Sequence, residues 1–142
     1  MPAATGKKNH ETPVGIFRVD ARDRNHFSSL YDTDDGKTKY PMDYAIRFYV
    51  GPDDVAYWIH ARDLPGKPAS HGCIGVFDEE MQKRAYEMSY VPVLKDAQKL
   101  YAWAVGGAEN GLDSGRLELL EKGPVVEVIG PLPVYLPFPW ER

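Results

Sequence analysis

The sequence predicts a mainly β domain with two peripheral helices, and three observations carry that reading. The chain has 142 residues, the length of a single domain. Short runs rich in β-branched and aromatic residues recur along it. Thirteen glycines and twelve prolines punctuate those runs, which favours strands and turns over long helices.

Residues 15–20 (GIFRVD) open the series of strands. Residues 44–50 (YAIRFYV) and 54–60 (DVAYWIH) follow, and the Gly51-Pro52-Asp53 turn between them predicts an antiparallel hairpin. A last strand falls at residues 125–129 (VVEVI). One helix is expected over 78–89, capped by Asp78, and a second over 95–105. In the second, Ala97, Leu100, Tyr101 and Ala104 recur at helical spacing, so that face should lie on the sheet, with Trp103 off the stripe.

Residues 21–39 are polar and without clear period, and they read as a long solvated loop. Asp32, Asp34, Asp35 and Gly36 superficially resemble a calcium loop, but its glycine position would fall on Lys37 and its closing glutamate on Asp43. Residues 106–116 form a second connection, with a turn signal at Asn110-Gly111. The chain thus divides into a domain over 1–130 and a proline-rich tail over 131–142. The apolar residues of that tail, Val134 to Trp140, are expected to pack back on the domain.

Charge and cysteine content narrow the function classes. Seventeen basic against twenty-one acidic residues give a net charge of −4, and no Lys/Arg block appears, so nucleic acid is not the expected partner. No apolar run approaches the ~20 residues of a membrane span, and no secretory signal opens the chain. One cysteine excludes an internal disulfide and a four-thiolate zinc site.

That cysteine, Cys73, lies in residues 57–77 (YWIHARDLPGKPASHGCIGVF) with two of the four histidines, His60 and His71. A lone cysteine is most often a small buried hydrophobe. Here, however, Ser70-His71-Gly72-Cys73 is a polar turn with a glycine beside the sulfur, and His60 ends a predicted strand. A thiol of pKa about 8.5 is only ~3% ionised at pH 7, and an imidazolium neighbour that lowers it to about 6 makes it ~90% thiolate. Cysteine with nearby histidine is therefore a coherent kit for nucleophilic catalysis, with backbone N–H groups at Gly72 and Cys73 as oxyanion donors. His60, His71 and Cys73 are also zinc-ligand types, but their spacing matches no common finger and any fourth ligand would have to come from elsewhere in the chain.

The motif SHGC after a strand ending in Ile59-His60 resembles the signature of the L,D-transpeptidase catalytic domain, the YkuD-like family. Thr5-Gly6-Lys7 and Glu11-Thr12-Pro13-Val14-Gly15-Ile16-Phe17 resemble that family's opening glycine-lysine turn and TPxGxF strand. Pro41-Met42, residues 64–69 before SHGC, and 123–129 as a closing GxxVxV strand extend the likeness. The strands that normally precede the glycine-lysine turn are missing, and the tail is expected to cover the resulting sheet edge.

The resemblance implies a β-sandwich and cysteine acyl transfer on peptidoglycan stem peptides in the periplasm or cell envelope. By that likeness Cys73 is the nucleophile, His60 the base oriented by the Ala61 carbonyl, and His71 a second histidine lining the site. Ser70, Gly72 and Ala61 would frame the substrate and oxyanion. No metal or organic cofactor is implied, and carbapenems are expected to acylate the thiol. The likeness departs at Gly75, where the family usually carries arginine, and Arg62 or Lys67 is the nearby substitute. His10 and His26 read as surface residues. A hydrolase on the same scaffold (L,D-carboxypeptidase or amidase) and a catalytically silent wall-binding module are the competing functions.

Overall fold

The computed structural model describes residues 1–107 and 116–130. Among these residues, eight strands and two helices run in the order β1 (Ala3–Ala4), β2 (Gly15–Arg18), β3 (Ala21–Asp32), β4 (Lys39–Val50), β5 (Ala56–Arg62), β6 (Ile74–Phe77), α1 (Glu79–Tyr86), α2 (Asp96–Ala104), β7 (Glu118–Leu119) and β8 (Val125–Val128). Six strands form one sheet in the order β1-β6-β5-β4-β3-β7, and β2 and β8 pair as a second. The mainly β class with two helices is what the sequence predicts.

The expected hairpin is present: β4 and β5 run antiparallel, and Gly51 N–H donates to the Val55 carbonyl at 2.9 Å across the turn. By contrast β5 and β6 are parallel, with Ile59 beside Ile74 and His60 beside Gly75. Parallel neighbours need a crossover. Residues 63–73 supply it, so the SHGC turn lies on the approach to β6. Side chains alternate between faces along a strand. One face of the sheet carries Ile46, Phe48, Ile59, Ala61 and Val76, packed with Ala97, Tyr101 and Ala104 of α2 and with Phe17, Val126 and Val128 of the small sheet. Trp58 and Ala45 lie on the opposite face, where Met42 joins them because Tyr44, at φ 54°, interrupts the alternation in β4; Tyr40 and Cys73 pack against this cluster.

Both helices start within a residue of their expected positions. The Asp78 carboxylate accepts the Met81 N–H at 2.9 Å, the cap the sequence predicts for α1. This helix is anchored by a polar residue: Gln82, 1% exposed, bonds both the N–H (2.7 Å) and the carbonyl (3.2 Å) of Leu64. In α2 the predicted stripe faces the sheet, and Trp103 is 68% exposed.

The loop expected at 21–39 is instead mostly strand. β3 is twelve residues long and pairs β4 along its inner edge. Its polar residues defeat the periodicity argument because they find partners on the sheet. Arg22 pairs Glu118 at 3.1 Å, and Asp23 meets His26 Nδ1 at 3.0 Å. The Arg24 guanidinium lies 3.5 Å from the Tyr44 ring centre. Only residues 33–38 form a turn, and there Asp35 accepts from Thr33 Oγ1 (2.7 Å) and Lys37 N–H (3.0 Å), so its carboxylate serves the turn itself. Pro41 is tolerated in β4 because β5 pairs only the later residues, Ile46 to Val50, leaving that stretch without a ladder on its other side. The Asn110-Gly111 turn and the tail at 131–142 lie outside the described residues.

Candidate active site

The SHGC turn is built onto the chain's opening segment. Thr5 carbonyl accepts the N–H groups of Ala69 (3.0 Å) and Ser70 (3.2 Å), and Lys7 N–H donates to Ser70 carbonyl at 2.9 Å. The Thr12 hydroxyl donates to Gly72 carbonyl (2.8 Å) while accepting Gly6 N–H (3.0 Å). Gly72 sits at φ +123°, and a Cβ there would meet Tyr57 Cε1 at 2.5 Å, so conformation and space both require glycine. The Ser70 hydroxyl donates to Cys73 carbonyl and accepts Gly72 N–H at 3.1 Å, tying the turn to itself. Gly72 N–H is thereby committed, which narrows the expected pair of oxyanion donors to Cys73 N–H.

Cys73, His60, His71 and Ser70 line one cavity of about 480 Å³, bounded by Trp58 and Arg62 of β5 and by the β3–β4 hairpin. His60 is 4% exposed, and its Nδ1 lies 2.9 Å from the Ala61 carbonyl. A carbonyl can only accept, so Nδ1 carries the hydrogen and Nε2 keeps the lone pair, the form a base needs. Ala61 thus contributes its carbonyl rather than a side chain. His71 is exposed, stacked on Tyr31 at 4.2 Å between ring centres and met edge-on by His10 at 4.8 Å.

The resting ionisation differs from the thiolate–imidazolium pair the sequence suggests. Burial pushes the Cys73 thiol above its ordinary value, against a backbone hydrogen bond from Trp58 and the charge of Arg62. Burial likewise pushes His60 down to about 4, outweighing the Ala61 hydrogen bond, with Arg62 and His26 adding in the same direction. At neutral pH the two groups stand as thiol and neutral imidazole. His71 is also lowered, by desolvation first and then by Lys7, His10 and Arg62.

His26 is not a surface residue. Its ring stacks on Trp58 at 4.2 Å, is held by Asp23, and lines the cavity. Tyr40 and Tyr31 line it too, both from the β3–β4 hairpin region. No local pattern marks these residues, because residues 21–32 carry no apolar period and the side chains come together only through the pairing of β3 with β4.

A two-sheet β domain here places one thiol and a tautomer-fixed histidine in one cavity, the residue types that nucleophilic catalysis uses. The family model of the L,D-transpeptidase catalytic domain (YkuD) matches residues 1–126, and the chain belongs to that family. A comparison with curated proteins finds no match.

Proposed function

We propose that this protein is a cysteine acyltransferase that acts on peptidoglycan stem peptides in the cell envelope, forming L,D cross-links through an acyl-enzyme on Cys73. One observation carries the reading: Cys73 lines the same cavity as His60, whose Nδ1 is held by the Ala61 carbonyl at 2.9 Å. The Cys73 sulfur attacks the carbonyl carbon before a terminal D-residue while His60 Nε2 takes the thiol proton. The oxyanion that forms is met by Cys73 N–H. Collapse breaks the C–N bond, and His60 returns its proton to the departing amine. An amine of a second stem then attacks the thioester, giving up a proton to His60, and the C–S bond breaks to restore the thiol. Ser70 and Gly72 hold the turn, and His71 with Tyr31 forms an aromatic wall. None of these steps calls on a metal or organic cofactor.

Intact mass after incubation with a carbapenem tests the nucleophile. A single adduct is expected on the native chain and none on Cys73→Ala; an undiminished adduct on the alanine variant refutes the assignment. Products from a tetrapeptide stem then separate the outcomes: cross-linked dimer supports transfer, tripeptide alone assigns a hydrolase, and no turnover leaves a wall-binding module.

A further inference from the structure

Gly75 is not imposed by the backbone, since its φ lies outside the left-handed region. Its lack of a side chain has a spatial reason instead. A Cβ at this position would come within 1.9 Å of Arg62 Cδ and 2.1 Å of Arg62 Cγ, so the Arg62 stem lies in the space a side chain at 75 would fill. Arg62 lines the cavity with Cys73 and His60, and it is the only lysine or arginine among the described lining residues. Lys67, the other candidate substitute, is exposed and does not line it.

The guanidinium is poised rather than spent. Nε donates to the Asp63 carbonyl at 2.9 Å, which fixes the plane of the head group. Arg62 enters no ion pair among the described residues. The adjacent carboxylate, Asp63, is engaged elsewhere, accepting the Tyr86 hydroxyl at 3.0 Å. A second polar group waits in the same cavity: the Tyr40 hydroxyl is buried with no hydrogen-bond partner. A buried hydroxyl without a partner costs stability, on the order of 1–3 kcal/mol, and is accounted for when a ligand oxygen completes it. A guanidinium with two free Nη groups and a neutral hydroxyl suit a carboxylate, which only accepts. Arg62 also acts on the site electrostatically, favouring the thiolate of Cys73 and the neutral form of His60.

We propose that Arg62, laid over Gly75 from the neighbouring strand, is the specificity-determining residue of the site and, with the Tyr40 hydroxyl, receives the free carboxylate of the acyl donor. This rests on the acyl-transfer reading for the identity of the donor, but not for the existence of the subsite.

The test uses two alkylating agents of one size, iodoacetate and iodoacetamide. In both, the Cys73 sulfur displaces iodide, forming an S–C bond as C–I breaks and the thiol proton passes to solvent; only iodoacetate carries a carboxylate. The native chain should favour iodoacetate relative to a free thiol such as glutathione. Arg62→Gln should lower the iodoacetate-to-iodoacetamide rate ratio roughly tenfold, the scale of one charge-assisted hydrogen bond; the loss of thiolate stabilisation slows both reagents alike and cancels in the ratio. Gly75→Ala keeps the charge but evicts the Arg62 stem, and should lower the ratio too. Arg62→Ala combined with Gly75→Arg should restore it, because each position then offers the other its space. An unchanged ratio in both Arg62→Gln and Gly75→Ala overturns the proposal, and if Arg62→Gln does not fold, Gly75→Ala decides alone. With tetrapeptide donors ending in a free acid or an amide, Arg62→Gln should erase the native preference for the acid. A lowered alkylation ratio without peptide turnover would refute the transferase reading while leaving the anion subsite standing; turnover with an unchanged ratio would do the reverse.

Discussion

Acid should unfold this protein partly through His60. Its ordinary value is 6.5, and burial holds it at about 4 in the folded chain. Between those values the unfolded chain binds a proton that the folded chain refuses, so stability rises with pH across the window. The contribution is complete above pH 6.5 and drains away as pH falls to about 4. At ~1.4 kcal/mol per pH unit, that interval is worth about 3 kcal/mol, a large share of the ~5–15 kcal/mol that holds a small domain folded. The assay is urea unfolding from pH 7.5 to 3.5 for the native chain and for His60→Gln, which cannot titrate in this range. Carboxylates titrate in both proteins and cancel in the comparison. The native chain should lose about 3 kcal/mol more than the variant over the interval. Parallel stability curves would refute the reasoning, because they would mean that His60 ionises freely in the folded state.

Three further outcomes follow from the same contacts. His60→Ala should slow acylation by a carbapenem about 10²–10⁴-fold while barely moving the pH midpoint of iodoacetamide labelling, because a neutral base takes the proton during attack rather than creating a thiolate beforehand. A native midpoint near 6 that returns to about 8.5 in the variant would restore the ion-pair mechanism. Thr12→Val keeps the shape of the side chain but strands Gly6 N–H and Gly72 carbonyl, and should cost about 1–3 kcal/mol in chemical denaturation together with slower acylation. Gln82→Leu should cost a similar ~1–3 kcal/mol by orphaning both polar groups of Leu64, with acylation by a carbapenem unaffected in the folded fraction.

The legible parts of this fold are those where apolar residues alone carry the element. β4, β5 and β8 announce themselves through valine, isoleucine and aromatic side chains, and α2 through its four-residue stripe. β3 hides because its register is stabilised by polar partners from far along the chain, Arg22 with Glu118 above all, and no local pattern encodes such a pairing. β6 hides because four residues, IGVF, are too few to declare a period. The site divides in the same way. Cys73, His60 and the turn between them share one stretch of sequence, so the motif exposes them. His26, Tyr31 and Tyr40 reach the cavity only through the pairing of β3 with β4, and they were invisible until that pairing was known. Residue type suggested an imidazolium at His60, but its ionisation depends on burial, which the sequence does not state.

A neutral resting pair has a chemical logic of its own. Oxidation of cysteine proceeds from the thiolate, and its first product is rescued when a second cysteine condenses with it. This chain has no second cysteine, so an oxidised Cys73 would have no resolving partner within it. Holding the thiol protonated by burial reduces that exposure at rest. The same burial preserves reactivity, because the intrinsic nucleophilicity of sulfur rises with the basicity of its anion. The proton then has to leave as the S–C bond forms, which demands a base already in its lone-pair form. On the acyl-transfer reading proposed above, His60, kept neutral by burial and fixed in tautomer by the Ala61 carbonyl, takes that role, and the two displaced ionisations are then halves of one arrangement.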